Sequence, residues 1–515
     1  MPDPQTPSFN LWTDPWIPLE KGNGGIETVG IQQVLLQAAE YRAIYDPSPL
    51  VVVGIQRLLV AILQFALMPE KNGDLKKLWR AGRFPREALA KFGQSYAHRF
   101  NLFSEKEPFL QSADLPLAMG KNTKPVAYLA PEVPAGTAIT HYRHGVEDEQ
   151  VFCPACAARG LMTIPAFSTS GGAGIKPSIN GVPPIYILPG GGSLFESLTA
   201  SLICPEWQPQ IASRKKDDVW WVRKPVVGKG VEVREVGYLH SLTFPARRIR
   251  LYPEQLDRLC SRCNAKSLWM VRKMIFEMGE SRPKSAEFWF DPFAAYRIDS
   301  KKGPIPIRPN EGKATWREFT SLFLRAPADG DTHTQRPRVL DQIADLELDY
   351  KQSTYPFRCV GLRTDMKAKV FEWVEAGFDV PPAMLRDESA GPDVRDALDF
   401  AAQCGRVIGS TFRQYFGGKA RKSERQKALR IRMENTYWSL LSDPFRRYVL
   451  KVADLEQRPA AHKEWGDTVL KRAHAAFQEA MDSVGDDAEG LSQRAVAEKW
   501  CNIRLVNQRK EYLDE

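Results

Sequence analysis

The 515 residues of the chain are too many for one hydrophobic core, which excludes a single small domain and predicts two to four domains. Hydrophobic residues make up 43% of the chain and charged residues 26%, as is ordinary for a soluble globular protein. The first five residues lack the charged and apolar segments of a secretory signal. We therefore expect a cytoplasmic protein, in which cysteines favour metal over disulfides.

The first half of the chain is predicted to mix strands, turns and helices. Residues 9–30 are predicted to form short strands and turns, and alternating apolar and polar residues predict further strands over 219–252. Residues 112–195 are rich in Gly, Pro, Ser and Thr and hold few helical periods. Apolar residues at spacings of three and four predict helices over 30–42, 48–68 and 85–98.

The most apolar window of the chain is Val51–Met68. It holds three strongly polar residues, Gln56, Arg57 and Gln64. A membrane span carries few such residues, so we predict a buried helix and expect no membrane partner.

The character of the chain changes near residue 350. From about 366 onwards Gly and Pro are sparse and helical periodicity dominates. Helices are predicted over 367–377, 392–415, 421–455 with a break near Pro444, 463–483 and 491–510. Long helices joined by short loops favour a helix bundle over 366–515, after a mixed domain over 1–365.

Two Cys-x-x-Cys pairs form the strongest motif of the sequence. They are Cys153 with Cys156, and Cys260 with Cys263. Each turn presents two sulfur ligands to a metal, and two turns complete the tetrahedron that Zn²⁺ prefers. Four thiolates leave no position for water, so the predicted zinc is structural and ties two distant segments together. Redox dithiols and buried core thiols are the alternatives.

Basic residues are concentrated in one stretch. The net charge is +9, from 71 Lys and Arg against 62 Asp and Glu. Eight basic residues and one acidic residue, Glu424, lie between Arg413 and Arg432. This local excess predicts contact with nucleic acid, and a solvated helix face is the alternative. The predicted basic patch comprises Lys419, Arg421, Lys422, Arg425, Lys427, Arg430 and Arg432.

No pattern of residues predicts catalysis. The loop Gly171–Ser178 is only superficially like a phosphate-binding loop, because it lacks adjacent Gly-Lys-Ser/Thr and Pro177 breaks the helix that should follow. His141 and His144 have no Glu between them, so the zincin pattern is absent.

Four features of the sequence occur together in one known family. Two are short motifs, Phe9–Pro18, and Arg99–Phe103 followed by Pro108–Gln111. The third is the set of two Cys pairs, and the fourth is the glycine loop ahead of Lys176, which lies twenty residues after Cys156. Over nearly its full length, the chain resembles the large subunit of the type I-E Cascade complex, an RNA-guided CRISPR surveillance assembly.

The resemblance implies an α+β protein with a large mixed N-terminal domain, which carries a structural zinc site, and a C-terminal four-helix bundle. It implies a non-catalytic subunit that recognises the protospacer-adjacent motif (PAM) in double-stranded DNA and wedges the duplex open for R-loop formation. The subunit would also hold the 5′ handle of the guide RNA and help to recruit the helicase–nuclease. The expected partners are the guide RNA, the target duplex, the displaced single strand, the helicase–nuclease and other Cascade subunits.

The resemblance also assigns roles to residues of this chain. The loop that enters the DNA minor groove falls on Gly171, Gly172, Ala173 and Gly174. The wedge falls on Arg363, Asp365, Met366 and Lys367, with Met366 as the side chain that unstacks bases. The site for the guide RNA handle falls on His141, Tyr142, Arg143 and His144. A lysine finger has the candidates Arg272, Lys273 and Lys284. The basic patch would guide displaced single-stranded DNA or touch neighbouring subunits.

Two other functions stay open. A metal-dependent nuclease can take its ligands from scattered positions, and it would cleave nucleic acid as an isolated chain with Mg²⁺ or Mn²⁺. A zinc-stapled scaffold that only bridges proteins would show no salt-sensitive binding of DNA.

Overall fold

The structure, a computed structural model, describes most of the chain. The described residues are 6–120, 123–130, 150–169, 176–179, 181–209, 217–224, 228–326, 332–348, 353–364, 370–386, 388–416, 424–484 and 488–514. Contacts within the chain divide it into two units. Unit 1 comprises Met1–Pro309 and Asp329–Gly377, and unit 2 comprises Asn310–Ala328 and Phe378–Glu515.

The first 309 residues alternate short strands with short and medium helices. The strands are β1 (Ile17–Lys21), β2 (Ile26–Val29), β3 (Tyr41–Ile44), β4 (Lys124–Pro125), β5 (Tyr186–Pro189), β6 (Arg247–Glu254), β7 (Met270–Met278), β8 (Tyr296–Asp299) and β9 (Gly303–Pro306). The helices are α1 (Ile31–Leu36), α2 (Pro49–Leu67), α3 (Asn72–Ala81), α4 (Arg86–Tyr96), α5 (Pro154–Leu161), α6 (Ile164–Phe167), α7 (Leu194–Ala200) and α8 (Tyr238–Leu242).

The rest of the chain passes from a mixed segment into long helices. The mixed segment holds α9 (Phe319–Phe323), β10 (Thr332–Gln335), α10 (Arg338–Leu346), β11 (Tyr355–Thr364), β12 (Val370–Val380) and α11 (Pro382–Arg386). The long helices are α12 (Gly391–Phe416), α13 (Glu424–Val452), α14 (Arg458–Met481) and α15 (Ala488–Leu513). The predicted mixture of helix and sheet is confirmed.

The described strands form four three-stranded sheets. Their strand orders are β2-β1-β3, β4-β7-β6, β10-β8-β9 and β12-β11-β5. A long pairing joins β6 and β7, which run antiparallel from Arg247 opposite Met278 to Glu254 opposite Met270. Strand β11 pairs antiparallel with β5, so the segment after residue 350 returns to the sheet framework of unit 1.

Helix α2 is the central core helix of unit 1. Among the described helices it is the one long and apolar enough to cross a membrane by length and composition, but 83% of its apolar window is buried inside the protein. Its polar residues have partners there. Gln64 bonds both the N–H and the C=O of Ile203, each at 3.0 Å, and Arg57 pairs with Asp291 at 2.9 Å. The predicted buried helix is confirmed.

A close backbone contact fixes α2 against the segment that carries the first Cys pair. A Cβ atom added at Gly54 of α2 would overlap the backbone carbonyl of Met162, directly after α5. Only glycine allows this approach, because any larger residue would push the two segments apart. The base of the Cys site is therefore built directly on the core helix.

The four long helices of unit 2 pack on one another. Helix α12 contacts α13, α14 and α15, and α14 contacts both α13 and α15. Buried aromatic residues tie the helices by hydrogen bonds: Tyr437 Oη donates to the carbonyl of Ala401 (2.7 Å) and Trp465 Nε1 donates to that of Ala397 (3.0 Å).

The earlier segment Asn310–Ala328 completes unit 2. Trp316 is 3% exposed, and its ring centroid lies 4.9 Å from that of Phe445 on α13. The ring of Phe319 packs on Phe445 and on Phe378, at centroid distances of 5.5 and 5.8 Å. The helices of unit 2 thus share their core with a segment that precedes them by about fifty residues or more.

Several predicted elements differ from the structure. The helix predicted over 367–377 is wrong, because Val370–Val380 forms strand β12 beside β11. Its Val, Phe and Trp residues favour strands, and pairing with β11 decides the outcome. Pro444 lies inside α13 and does not break it.

Two predictions in the first half of the chain also differ. The helix predicted over 30–42 ends at Leu36. Within 219–252, where strands were predicted, helix α8 precedes the strand β6. The contacts divide the two units at Gly377/Phe378, and the boundary predicted from composition lies after residue 365.

Candidate metal centre and nucleic-acid-binding residues

The four cysteines of the two Cys-x-x-Cys pairs come together in unit 1. Their Sγ atoms all lie within 4.8 Å of one another, and those of Cys153 and Cys263 are 3.6 Å apart. Three of the four residues are buried and Cys263 is exposed, so the cluster lies at the surface of the unit. None of the eight cysteines of the chain forms a disulfide.

The first pair is held by the start of a helix. Cys153 is the N-cap of α5, Pro154 is its first residue and Cys156 lies within its first turn. Proline suits this position because its missing N–H has no partner to lose there and its fixed φ matches a helix. Both sulfur atoms therefore come from one rigid turn.

The second pair lies in a tight turn before β7. The amide of Asn264 donates to the carbonyl of Cys260, and the amide of Cys260 donates to the carbonyl of Ala265, both at 2.9 Å. Asn264 takes the left-handed conformation (φ 59°) that the turn needs, which asparagine tolerates. The amide of Ser261 also donates to the carbonyl of Val151 (2.8 Å), which fixes this turn beside the first pair.

Two arginines and a buried carboxylate surround the sulfur cluster. The Arg159 Nη2 atom donates to Cys156 Sγ at 3.0 Å, and its Nη1 atom contacts Asp46 Oδ2 at 3.0 Å. Arg262 lies 3.8 Å from the same Asp46 carboxylate, which is 1% exposed. Positive charge beside the sulfurs stabilises thiolate over thiol, as a metal site of four thiolates requires.

Protonation within the cluster is unevenly distributed. Hydrogen bonds with Cys153 and Cys260, together with burial, raise the pKa of the Cys156 thiol well above its usual range. Hydrogen bonds from Cys153 and Cys156 hold the pKa of Cys260 well below its usual range. A metal that binds here must therefore displace protons, above all the proton of Cys156.

The donor set fits a soft divalent metal. A regular tetrahedron with Zn–S bonds of about 2.3 Å has sulfur atoms about 3.8 Å apart, close to the 3.6 Å between Cys153 and Cys263. Among the residues that the structure describes, this is the one group of three or more His, Cys, Asp or Glu side chains close enough to hold a metal. The cluster can hold a metal ion, and the group contains no fifth donor among the residues that the structure describes.

The base of the glycine loop is held by one buried arginine. Gly171, Gly172, Ala173 and Gly174 lie outside the described residues, but Thr169 and Lys176 on either side are described. Arg247, at the start of β6 and 3% exposed, donates to the carbonyl of Lys176 (2.9 Å) and, through its other Nη atom, to that of Thr169. Burial lowers the pKa of Arg247 to about 10, which leaves it charged at neutral pH.

A second set of bonds closes the same base. The amide of Ser178 donates to the carbonyl of Ser168 (2.9 Å), and the Ser178 hydroxyl donates to the carbonyl of Pro165 (2.5 Å). Lys176 Nζ, about half exposed, pairs with Glu232 at 2.7 Å. The chain is therefore fixed on both sides of residues 170–175.

The predicted wedge falls between two neighbouring strands. Strand β11 ends at Thr364 and β12 begins at Val370, and Asp365, Met366 and Lys367 lie outside the described residues. Arg363 is described: its Nε donates to Glu372 Oε1 at 2.6 Å, and its guanidinium lies 4.7 Å from the ring centroid of Phe371. The two strands are thus joined by side chains next to the predicted wedge.

The basic patch is described only in part, because Lys419, Arg421 and Lys422 lie outside the described residues. The other members have partners: Lys427 pairs with Glu424 (3.9 Å), Arg430 with Glu434 (2.7 Å), Arg432 with Glu479 (2.9 Å), and Arg425 donates to the carbonyl of Ser483 (3.4 Å). Neighbouring carboxylates in space therefore offset part of the local excess that the sequence shows.

The remaining predicted residues divide in the same way. His141, Tyr142, Arg143 and His144, the predicted site for the guide RNA handle, lie outside the described residues. Of the candidates for a lysine finger, Arg272 and Lys273 lie on β7, and Arg272 pairs with Glu254 at 3.1 Å.

Two residues that contact the candidate sites, Arg159 and Arg247, were not predicted from the sequence. Arg159 follows Cys156 by three residues, one helical turn, so helical spacing could have found it. Arg247 lies about seventy residues from the loop it holds, and no local pattern distinguishes it from other strand arginines.

Comparison with known proteins identifies the family. The model of the CRISPR-associated protein Cse1 family matches residues 10–476. The CRISPR-associated protein CasA/Cse1 of Thermus thermophilus is 28% identical over 516 residues, covering 95% of this chain and 96% of that protein.

Solved structures share the fold. The crystal structure of Cse1 from Acidimicrobium ferrooxidans matches with a TM-score of 0.81 at 22% identity, covering 99% of this chain and 100% of that one. A chain of a CRISPR RNA-guided surveillance complex matches with a TM-score of 0.73 at 16% identity, covering 97% and 100%. Because the family match spans most of its length, the chain belongs to the CRISPR-associated Cse1 family, the large subunit of type I-E Cascade.

Proposed function

We propose that this chain, within an RNA-guided surveillance complex, recognises the PAM in double-stranded DNA through the minor groove and opens the duplex. The observation that carries the proposal is the anchored base of the glycine loop, where Arg247 bonds the carbonyls of Thr169 and Lys176. A glycine-rich backbone can approach a groove that excludes bulky side chains, and anchored ends reduce the entropy lost on binding. Minor-groove readout is coarse, which suits recognition of a short motif.

Opening of the duplex would follow at the β11–β12 pair. Residues 365–369 connect two paired strands, and the Arg363–Glu372 ion pair stiffens the strands beside them. An apolar residue such as Met366, pushed between base pairs from a stiff support, would unstack them. Arg363, Asp365 and Lys367 would contact the phosphates or bases on either side.

The metal of the Cys cluster is proposed to be structural zinc. Zinc bound by Cys153, Cys156, Cys260 and Cys263 would supply no chemistry beyond holding the start of α5 to the turn before β7. Four thiolates fill its coordination sphere. The strand pairing of Phe152 with Val271 extends the same junction, so the metal would brace the framework near β6 and β7, where Arg247 lies.

The wider role follows from the family and from the chain of a surveillance complex that this fold matches. The chain would act as a non-catalytic subunit in the cytoplasm, assembled with other Cascade subunits and the guide RNA. Its helices α12–α15 would form a four-helix bundle whose basic patch guides the displaced strand. His141, Tyr142, Arg143 and His144 would hold the 5′ handle of the RNA, and the subunit would help to recruit the helicase–nuclease.

The proposal can be tested with the reconstituted complex and a duplex library that carries a randomised motif beside one matched target. We expect the wild-type complex to select a short motif, and Gly172→Trp to lose that selection while the complex still assembles. Gly120→Trp is the matched control, because a side chain at Gly120 meets open space. Equal binding of all motifs by the wild-type complex would refute the proposal. Cleavage of DNA by the isolated chain in Mg²⁺ or Mn²⁺ would point to the nuclease instead.

A further inference from the structure

A second concentration of positive charge lies in unit 1, on α3, α4 and the turn between them. The sixteen residues from Lys76 to Lys91 hold six basic residues and one acidic residue, Glu87. We name these six residues the α3–α4 basic surface: Lys76, Lys77, Arg80, Arg83, Arg86 and Lys91. All are exposed except Lys76, which is half-buried.

Within the described part of the chain, none of the six side chains is in an ion pair. This separates them from the described members of the basic patch on α13, where Lys427, Arg430 and Arg432 each pair with a carboxylate. Lys76 and Arg80 are four residues apart on α3, and like charges at this spacing destabilise a helix. Among the described residues no carboxylate pairs with these charges, and a bound polyanion would relieve their repulsion.

The charges sit on a rigid support. Helix α3 buries Leu75, and the turn after it is fixed by Phe84, which is 3% exposed and packs on Phe195 of α7 at a centroid distance of 4.9 Å. Gly82 ends α3 in the left-handed conformation (φ 64°), which allows the tight turn into α4. Ordered cations lose less entropy when they meet phosphates than cations on a mobile loop.

A cleft of about 770 Å³ lies beside this surface, with Lys77, Arg83 and Arg86 on its border and Leu75 and Phe84 among its apolar residues. An acidic protein segment with apolar anchors would suit the cleft alone. However, Lys76, Arg80 and Lys91 do not line it, so the charge extends along both helices beyond the cleft. A spread of positive charge along a surface is the pattern that a nucleic-acid backbone matches.

We infer that the α3–α4 basic surface binds the phosphate backbone of nucleic acid without reading its sequence. The inference rests on the proposed function in one respect, since nucleic acid is the polyanion that such a complex works on. It adds a contact surface distinct from the glycine loop and from the basic patch on α13. Its contribution would be affinity that falls steeply with salt, while the loop supplies selection.

The test uses the full-length chain and fluorescein-labelled nucleic acids of one sequence without a motif, as duplex DNA, single-stranded DNA and RNA. Anisotropy titrations over 50–300 mM salt give the affinity and its salt slope. We expect K77A/R80A/R83A/R86A to bind the preferred form about tenfold more weakly or worse, and to lower the slope for duplex DNA by about 3 to 4, as the loss of four phosphate contacts predicts. The charge-conserving K77R/R80K/R83K/R86K should bind as the wild type does.

The matched control, R42A/K106A/K301A/K302A, removes the same formal charge from exposed positions elsewhere in unit 1 and should leave the slope unchanged. Circular dichroism of each variant checks that the fold is kept. An unchanged slope in the α3–α4 variant would overturn the inference. So would displacement of the labelled DNA by polyglutamate as effectively as by unlabelled DNA of equal charge, since that marks a surface for acidic protein.

Failure of this inference is distinguishable from failure of the proposed function. In the reconstituted complex, the α3–α4 variant should bind motif-bearing and motif-free duplexes more weakly by the same factor, so the ratio between them is kept. Loss of that ratio in the variant would contradict a sequence-independent contact. Equal affinity of the wild-type complex for motif-bearing and motif-free duplexes would count against motif recognition. The salt slope of the α3–α4 variant would still decide this inference.

Discussion

The arginine at the start of β6 illustrates how one side chain can govern a distant loop. Arg247 bonds both sides of the glycine loop from within the protein, whereas its neighbour Arg248 pairs with Asp114 (2.5 Å) and Glu277 (2.6 Å). The two are similarly buried, at 3% and 6% exposure, but they hold different partners. Together they form a natural pair for mutation.

We expect Arg247→Ala to reduce motif discrimination at least tenfold in the assembled complex, because the loop loses its anchors. Both Arg247→Ala and the control Arg248→Ala should destabilise unit 1 by about 2 to 4 kcal/mol, since each variant loses a buried guanidinium and its hydrogen bonds to part-buried partners. Binding to a motif library, measured beside urea unfolding, separates the two effects. Equal loss of discrimination in both variants would show that Arg247 acts only through stability.

Single residues could be predicted from the sequence where the same residue type recurs at a short, defined spacing. The two Cys-x-x-Cys motifs predict a cluster of four cysteines, and the four Sγ atoms lie within 4.8 Å of one another in the structure. Arg247 and Asp46 have no such signature, because their partners are brought near only by the fold. A role that depends on long-range contacts leaves no mark in the local sequence.

Among the elements, the junction of α5 with the turn before β7 depends most on a ligand. We expect the zinc content of the purified protein to fall as the pH is lowered, because protons compete for the thiolates and the pKa of Cys156 is raised. Metal binding is therefore strongest at neutral to alkaline pH and lost towards acid. Elemental analysis after dialysis across pH 5–8 checks this expectation.

Removal of the metal ligands should unfold this junction. C156S/C263S should bind no zinc and melt at a lower temperature, since structural zinc supplies on the order of 10 kcal/mol in small domains. C404A/C501A removes two buried thiols outside the cluster and should keep the metal. A metal-free wild-type protein with the same melting temperature as C156S/C263S would contradict a structural role.

The β11–β12 pair carries the next prediction. Met366→Ala should slow the opening of a duplex several-fold while changing initial binding little, because the side chain acts only once base pairs separate. Stopped-flow fluorescence of 2-aminopurine beside the motif follows the opening. Met119→Ala, at a 42% exposed methionine, is the control. Unchanged opening by Met366→Ala would exclude this residue as the wedge.

Helices proved easier to predict than strands. Apolar residues at helical spacing predict α2, α4 and the four long helices α12–α15 to within a few residues. Helix α2 is buried all round, from Pro49 to Gln64, and its length favours a helix over a strand. The helix predicted in place of β12 is wrong because the first half of the strand is largely exposed, and buried residues at a spacing of two appear only at its end, at Phe378 and Val380. Its conformation is imposed by pairing with β11, which single-sequence patterns do not show.

At the scale of the whole molecule, unit 2 depends on residues from outside its helices. We expect Trp316→Ala to destabilise unit 2 by about 3 to 5 kcal/mol, because a buried ring against Phe445 would leave a cavity. Trp373→Ala, at a 42% exposed tryptophan, should change stability by less than about 1 kcal/mol. Hydrogen exchange of the α13 and α14 amides measures the effect. Unchanged hydrogen exchange in Trp316→Ala would show that the helices of unit 2 are stable without this side chain.

The mixture of helix and sheet could be predicted from the sequence, since alternating residues favour strands in the first part and helical periodicity dominates the last part. The contribution of Asn310–Ala328 to unit 2 was not, because a short amphipathic segment gives no sign of which unit will cover it. The family could not be predicted from composition. It was predicted from the short motifs shared with the large subunit of type I-E Cascade, and the family match over residues 10–476 confirms it.

The interrupted make-up of unit 2 has a consequence for how such genes can recombine. Its residues come from 310–328 and 378–515, with strands β10–β12 encoded between them. A single crossover near codon 366 would join the helices of one parent to the Trp316 segment of another and mismatch the shared aromatic core. A crossover at residue 310 would keep unit 2 whole but split unit 1, because β10 pairs with β8 and β11 with β5. No single crossover between residues 310 and 377 therefore leaves both units with residues from one parent, and we expect the two units to be inherited as one block.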